Sequence, residues 1–191
     1  PASLFMAITR SLFRTLSQQV LSPAKIVTDM NNSISDNNES NMFVTLIVGI
    51  LDLETGKLKL CNAGHNPPIL IRPDGQVSFL EFKTQIFVGV IEEFAYTEDE
   101  TTLEKGSKLF LYTDGVTEAE NTEKELYGDE KLLKTLSDNN TSDVRTTVNG
   151  IEDSVADHVK EAEASDDLTI LLIQYEPGQQ TIKHISLWKE K

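Results

Sequence analysis

Cysteine, tryptophan and basic residues are scarce in this sequence of 191 residues, which has one Cys and one Trp. The single Cys61 excludes an intramolecular disulfide and is typical of a reducing compartment. Lys and Arg number 17 against 31 Asp and Glu, so the formal net charge is −14. This charge argues against nonspecific binding to nucleic acid or to an anionic membrane, and it is compatible with divalent cations or a basic partner. We therefore predict no nucleic-acid partner.

Long hydrophobic runs are also missing. No uninterrupted apolar run could span a bilayer, and we find no signal peptide. A cytoplasmic location is the default expectation, and a membrane-anchored parent protein stays open. Hydrophobic residues make up 39 % of the chain, which is enough for a core, and the length suits one domain, with or without extensions.

Helical patterns enclose a central run of strands. Apolar residues from Leu4 to Val20 recur at every fourth position, which predicts an amphipathic helix whose apolar face lies on a core. Ser22 and Pro23 predict the N-cap and first residue of a second helix. Further helices are predicted at 127–136 and 144–159, and strands at 42–53, 57–61, 69–72, 77–80, 94–101, 108–113 and 168–175. Strands bracketed by helices, without regular alternation, predict an α+β fold.

Two apolar segments carry acids at opposite ends. Leu109–Tyr112 is uncharged, as in a buried strand, and Asp114 follows where this strand would leave the sheet. In the second segment Asp166 and Asp167 precede the apolar run Leu168–Gln174. If the two strands are antiparallel neighbours, Asp114 and Asp166 converge on one sheet edge. Carboxylates gathered there repel each other unless a cation lies between them.

Five motifs in order carry a resemblance to a known family. They are Pro-Ala-Ser-Leu-Phe-Met-Ala at the start, Met42-Phe-Val-Thr, Asn62-Ala-Gly-His-Asn-Pro-Pro68, Leu111-Tyr-Thr-Asp-Gly-Val-Thr-Glu118 and Asp166-Asp-Leu-Thr169. The sequence resembles the bacterial SpoIIE/RsbU-type serine phosphatases of the metal-dependent PP2C (PPM) superfamily. The resemblance covers residues 1–176, and it leaves residues 177–191 as a C-terminal tail, a new helix or the start of a following segment.

The resemblance implies a PP2C-like αββα sandwich of antiparallel sheets flanked by helices, with a two-metal Mn²⁺ or Mg²⁺ site. It also implies hydrolysis of phosphoserine or phosphothreonine on a protein, the usual substrate being a phosphorylated anti-anti-sigma (STAS) protein in sigma-factor partner switching. Asp114 and Asp166 match two metal aspartates of the family. The residues assigned a supporting or loop-positioning role are Gly115, Asp167, Thr169 and His65.

The family pattern continues upstream of this sequence. Asp-Val-Ser-Gly-x-Gly-x precedes Pro-Ala-x-Leu-Phe-Met in the family, whereas the sequence begins at Pro1. The resemblance therefore implies a fold incomplete at its N-terminus. The parent protein would carry the bridging metal ligands and a regulatory or sensor domain upstream. We expect the 191-residue chain alone to bind metal poorly and to be inactive.

Each assigned residue also has a structural interpretation. Asp114 could be a helix N-cap, and Asp166 and Asp167 could lie in a solvated loop. His65 is expected to hold loop backbone rather than to act as a general acid, and Thr113 and Thr169 to fix loops through their hydroxyls. The acidic run 92–104 predicts a solvated edge, with a docking surface for a basic partner as the alternative.

Two classes of function follow. The first is a metal-dependent serine/threonine protein phosphatase. The second is a non-catalytic relative that keeps the sandwich as a binding or dimerisation module. The resemblance also implies that the helices matching the Leu4–Val20 stripe form a face for regulatory domains and a homodimer partner, so a switch role is the alternative to core packing for this stripe. An aspartyl-phosphate mechanism with Asp114 as nucleophile needs a second acid two residues on, and position 116 is Val.

Overall fold

The computed structural model describes residues 2–19, 21–36, 38, 41–140, 143–162, 166–178 and 183–189. The chain divides into two compact units, one formed by Pro1–His65 and Glu81–Thr102 and the other by Asn66–Leu80 and Leu103–Lys191. In chain order the elements are α1 (Ala2–Leu16), α2 (Pro23–Ser35), β1 (Leu46–Leu51), β2 (Lys57–Ala63), β3 (Ile69–Ile71), β4 (Val77–Phe79), β5 (Thr84–Gln85), β6 (Asp99–Thr102), β7 (Lys108–Tyr112), α3 (Asp114–Thr117), α4 (Asp129–Asp138), α5 (Val144–Val159), β8 (Leu168–Gln174) and β9 (Lys183–Lys189). Within the described ranges, every helix is too short or too polar to cross a membrane.

The first unit places two helices on a four-stranded sheet. β1 and β2 form the predicted hairpin, with Leu46 opposite Ala63, and β6 pairs antiparallel with the first half of β2. The two-residue strand β5 runs parallel to the end of β2. One buried cluster joins α2 to this sheet, and its members are Ile26, Val27, Met30, Ile34, Val48, Cys61, Ala63, Val88 and Tyr96.

Helix α2 begins at the predicted residues, and a side chain from a distant part of the sequence also bonds to its N-terminus. The Ser22 hydroxyl accepts a hydrogen bond from the Lys25 N–H at 3.3 Å, and Pro23 occupies the first turn. Glu98 reaches the same helix end from the segment before β6. Its Oε2 accepts from the Ser22 hydroxyl at 2.7 Å and from the Ala24 N–H at 3.1 Å. Glu98 therefore fastens the α2 N-terminus, where a negative charge is favourable.

Replacing Glu98 with Gln should lower the free energy of unfolding by about 1 kcal/mol. Burial alone would raise the pKa of Glu98, but hydrogen bonds from Ser22, Ala24 and Lys59 together hold the pKa below its ordinary value of 4.5. The stabilisation is therefore present above that value and is lost as pH falls through the lower pKa of the folded state. Urea denaturation at pH 7 and at decreasing pH measures the difference.

The matched control is Glu100→Gln, since Glu100 pairs with Lys57 at 2.9 Å but both side chains are about half exposed. An exposed ion pair of this kind contributes little to stability, so Glu100→Gln should change the free energy of unfolding only slightly at every pH. A Glu98→Gln difference that stays constant into acid would contradict the assigned role of the carboxylate.

The apolar stripe of α1 is only partly a core face, which corrects the prediction. Leu4 and Ile8 are 67 % and 46 % exposed, whereas the helix buries the neighbouring row. A strict four-residue spacing advances about 40° per step around a helix of 3.6 residues per turn, so such a stripe winds out of the interface. The members of the buried row are Phe5, Thr9, Leu12 and Leu16. The Thr9 hydroxyl donates a hydrogen bond to the Phe5 carbonyl at 2.9 Å. Val20 lies outside the described residues.

The second unit is a five-stranded antiparallel sheet in the order β4-β3-β7-β8-β9. The predicted hairpin of β3 and β4 forms, with Ile69 opposite Phe79. Helices α4 and α5 belong to the core on this sheet, which contains Ile69, Ile71, Phe110, Tyr112, Val116, Ala119, Tyr127, Leu132, Leu136, Val144, Val148, Ile151, Val155, Ile170 and Leu172. The predicted bounds of α5 agree with the structure, and α4 begins two residues later than predicted.

Three segments differ from their sequence-based expectations. Of the predicted strand 94–101, only residues 99–101 pair in the sheet, as part of β6. Phe94 and Tyr96 instead pack edge to face, with ring centroids 4.8 Å apart. The strand predicted at 42–53 is shortened to β1, with Val44 in an isolated bridge to Val88. The segment after Pro177 forms β9, which pairs antiparallel with β8.

Candidate metal site

The ends of β7 and β8 meet at one edge of the second sheet. The antiparallel ladder ends at Tyr112 and Ile170, and hydrogen bonds continue beyond it. The Thr113 N–H donates to the Thr169 carbonyl at 3.1 Å, and the Thr169 N–H donates to Thr113 Oγ1 at 3.1 Å. Thr113 Oγ1 in turn donates to the Asp167 carbonyl at 3.3 Å. Thr113, rather than the Thr169 hydroxyl, thus ties the two segments together.

Gly115 allows this close approach. A Cβ on Gly115 would lie 2.3 Å from the Asp167 carbonyl oxygen and 3.0 Å from its carbon. Both distances are far inside van der Waals contact, so only glycine fits without displacing the Asp166–Asp167 segment. The requirement comes from this neighbour and not from a left-handed backbone conformation.

Asp114 and Asp166 flank this junction, and both side chains are exposed. Each carboxylate accepts a hydrogen bond from the following N–H, Asp114 from Gly115 at 3.0 Å and Asp166 from Asp167 at 2.7 Å. Asp114 is the first residue of the one-turn helix α3, and Thr113 occupies the N-cap position. The N-cap interpretation of Asp114 is therefore wrong. We call the two aspartates, with Asp167, the acid edge.

The carboxylate oxygens of the acid edge are suitable ligands for a hard cation, but the edge offers few of them. Carboxylate oxygens at the end of a sheet are suitable ligands for Mg²⁺ or Mn²⁺. Among the described residues, however, no group of three or more His, Cys, Asp or Glu side chains is close enough to hold a metal ion. The role of Asp114 and Asp166 as metal ligands stays a prediction, as does the supporting role of Gly115, Asp167 and Thr169.

His65 lies in the first unit, in the loop after β2. Its N–H donates to Asn62 Oδ1 at 2.8 Å, and its carbonyl accepts from Asn62 Nδ2 at 2.9 Å. The Asn62 side chain is buried and fixes this turn. The Asn62–Pro68 motif did not reveal this role, although Asn side chains commonly bond to nearby backbone in turns.

The family follows from a comparison of the whole chain. The sequence profile described as Stage II sporulation protein E (SpoIIE) matches residues 1–176. The chain belongs to the SpoIIE family. In this SpoIIE-family chain the matched region contains the acid edge, the His65 turn and helices α1 to α5.

Two curated proteins are similar to this SpoIIE-family chain over most of its length. Protein IcfG from Synechocystis sp. (strain ATCC 27184 / PCC 6803 / Kazusa) is 27 % identical, over 90 % of the chain and 31 % of IcfG. The phosphoserine phosphatase RsbU from Bacillus subtilis (strain 168) is 25 % identical, over 91 % of the chain and 51 % of RsbU. The chain thus spans between about a third and a half of the length of these relatives.

Solved structures confirm the predicted α+β, PP2C-like fold. The SiaA-PP2C domain of Pseudomonas aeruginosa superposes with a TM-score of 0.81 at 18 % identity, covering 92 % of the SpoIIE-family chain and 71 % of the SiaA chain. The phosphatase domain of SpoIIE from Bacillus subtilis, presoaked with Mn, superposes with a TM-score of 0.62 at 18 % identity, covering 91 % and 76 % of the two chains. At these identities the likeness concerns the fold.

The one thiol of this SpoIIE-family chain should be unreactive. Cys61 is fully buried in β2, and burial raises the pKa of its thiol to about 12. Since the thiolate is the reactive form, the folded chain should react with iodoacetamide at pH 8 at least about 100-fold more slowly than the chain in guanidinium chloride. Mass spectrometry of timed aliquots measures both rates. Fast labelling of the folded chain would show that β2 opens readily or that Cys61 is accessible.

Proposed function

We propose that this chain is the phosphatase domain of a metal-dependent protein phosphatase that hydrolyses phosphoserine or phosphothreonine. The observation that carries the proposal is the junction of β7 and β8, where Asp114 and Asp166 flank hydrogen-bonded segments 52 positions apart in the sequence. Two findings support it: the chain belongs to the SpoIIE family, and it is 25 % identical to the phosphoserine phosphatase RsbU.

The residues of the acid edge have distinct tasks in this proposal. Asp114 and Asp166 would hold Mn²⁺ or Mg²⁺, which when bound supplies a water of lowered pKa and neutralises charge on the phosphoryl oxygens. The Gly115 and Asp167 N–H groups orient the two carboxylates before any ligand arrives. Asp167, the half-buried third member of the acid edge, adds negative charge. The buried Cys61 takes no part.

The substrate and partners are a finer part of the proposal. We infer that the parent protein acts on a phosphorylated STAS-type anti-anti-sigma protein in a bacterial partner-switching pathway. An upstream regulatory or sensor domain would control it, and α1 would face that domain or a homodimer partner. The exposed apolar residues of α1 support this last point, because Leu4 and Ile8 on one flank of the buried row and Met6 and Phe13 on the other are 40–67 % exposed in the first unit.

We further propose that the 191-residue chain binds metal weakly and lacks activity by itself. Mg²⁺ and Mn²⁺ prefer several oxygen donors, and the acid edge offers few carboxylates. Calorimetric titration with Mn²⁺ should give a dissociation constant weaker than micromolar, and a phosphoserine peptide should not be hydrolysed. Micromolar binding would refute the weak metal affinity, and turnover by this chain would refute the inactivity. Either result leaves the phosphatase assignment standing.

The phosphatase assignment itself needs a longer protein. We expect turnover from a gene product that carries Asp-x-x-Gly-x-Gly immediately before Pro1. If such a protein binds Mn²⁺ and still fails to hydrolyse phosphoserine peptides or a phosphorylated STAS protein, the alternative of a binding or dimerisation module replaces the enzyme.

A further inference from the structure

A loop of the first unit, residues 87–93, is held rigidly against α2. The buried Asn31 side chain donates to the Ile91 carbonyl at 2.8 Å and accepts from the Gly89 N–H at 2.9 Å. Asn38 Nδ2 donates to the Gly89 carbonyl at 3.1 Å and to the Met42 carbonyl at 2.6 Å. Gly89 itself has a φ of +95°, where a side chain would be strained. The loop is therefore built to keep one conformation.

This 87–93 loop presents apolar side chains to solvent. Val90 and Ile91 are 50 % and 47 % exposed. Phe87 is exposed as well, and its ring stacks on the exposed Phe43 with centroids 5.2 Å apart. Single exposed apolar residues are ordinary, but four of them on and beside one rigid loop mark a contact surface.

An acidic cleft adjoins the same loop. Its volume is about 440 Å³, and the residues lining it are Asn32, Ser33, Ser35, Asp36, Glu92 and Glu93. Three carboxylates and the C-terminal turn of α2 give the cleft a negative potential, and none of the described residues that line it is cationic. Ser35 is 8 % exposed, and its hydroxyl has no hydrogen-bond partner among the residues that the structure describes. A ligand with N–H donors and positive charge would satisfy both features.

The occupant is more consistent with a basic side chain than with a dissolved metal ion. Within the described ranges, Asp36, Glu92 and Glu93 do not form a group that could hold a metal. A guanidinium or ammonium group needs no such cage, because it can bond to spread carboxylates and a hydroxyl one by one. The chain's net charge of −14 also favours a basic partner at longer range.

We propose that the 87–93 loop and the acidic cleft form a docking site for a basic segment of a partner protein. An Arg or Lys of that segment enters the cleft, and a neighbouring apolar residue packs on Val90 and Ile91. The site is independent of the proposed phosphatase activity, since all of its residues lie in the first unit and none belongs to the acid edge.

Fluorescence anisotropy with the 191-residue chain tests the site. The probe is a fluorescein-labelled peptide, Gly-Arg-Lys-Leu-Arg-Lys-Gly, and a second probe has Ser in place of Leu. Glu92→Gln with Glu93→Gln should weaken binding of the first probe roughly 10-fold, as expected for two partly exposed ion pairs. The matched control, Glu123→Gln with Glu161→Gln, removes the same charge from exposed positions outside the cleft and should change binding less than about 2-fold.

The apolar part has its own readout. Ile91→Ser should weaken binding of the Leu probe and leave the Ser probe unchanged, and thermal unfolding should verify that each variant keeps its fold. Undetectable binding of the Leu probe overturns the proposal. Equal weakening by the cleft and control variants also overturns the proposal, because such a result would mean that the net charge of the chain alone attracts the peptide. If only self-association of the chain responds to Ile91→Ser, the surface serves a second copy and the basic-partner proposal is wrong.

Discussion

Replacing Gly115 with Ala should be among the most damaging single-methyl changes available in this chain. The added Cβ would lie 2.3 Å from the Asp167 carbonyl oxygen. The nearest atoms all belong to the backbone of Asp167 and Leu168, so no side chain can rotate to relieve the clash. We expect a loss of about 1–3 kcal/mol in unfolding free energy, typical of overpacking. A displacement of about 1 Å at the acid edge should also lower phosphatase activity in a longer, active protein by about 100-fold.

Gly49→Ala is the matched control. Gly49 is an exposed glycine in β1, where a Cβ would meet Leu58 Cδ1 at 3.6 Å and the Lys59 carbonyl at 3.8 Å, which is ordinary contact. Because glycine weakens strands, this substitution should be neutral or slightly stabilising. Urea denaturation of both variants measures the contrast. Equal stability of Gly115→Ala and wild type would show that the β7 and β8 ends separate freely.

Asp114→Asn should separate the function of the acid edge from its structure. Asn keeps an oxygen that can accept the 3.0 Å hydrogen bond from Gly115, so α3 and the metal-free stability should change by less than about 0.5 kcal/mol. The charge that would hold a cation is removed. In the longer, active protein we expect at least a 100-fold loss of turnover, since even outer-shell changes at metal sites cost about 10–100-fold. Asp166→Asn should behave in the same way.

The control for charge is Asp138→Asn, because Asp138 is exposed at the C-terminal end of α4. Its loss should leave both turnover and the stabilisation of the protein by added Mn²⁺ unchanged. Thermal shift with increasing Mn²⁺, followed by steady-state rates on a phosphoserine peptide, distinguishes the variants. Retention of more than half the activity by Asp114→Asn would remove this residue from the metal site.

The sequence predicted those features that are encoded locally. The Ser22-Pro23 pair marked the start of α2, and the alternation of apolar and turn residues marked the β3 and β4 hairpin. The two uncharged apolar runs marked β7 and β8 as buried strands with acids at their ends; that these ends adjoin was conditional on antiparallel pairing, which the ladder of the two strands shows. These signals work because capping, turn formation and burial each depend on a few consecutive residues.

Features that depend on distant packing were not predictable in the same way. Which row of α1 is buried depends on how the helix is rotated against α2, and periodicity alone chose Leu4 and Ile8 wrongly. Glu98 reaches Ser22 across 76 positions, and Asn31 reaches Ile91 across 60. Neither side chain carries a local signal of its partner. A long-range clamp of this kind is visible only once the chain is folded.

The Thr113 bridge has a consequence for synthesis on the ribosome. Its partners, Asp167 and Thr169, are 54 and 56 positions further along the chain. A nascent polypeptide therefore cannot assemble the acid edge until nearly all of the matched region has emerged. Until that moment no hydrogen bond holds the segments of Asp114 and Asp166 together, so the timing of translation determines when the edge first exists.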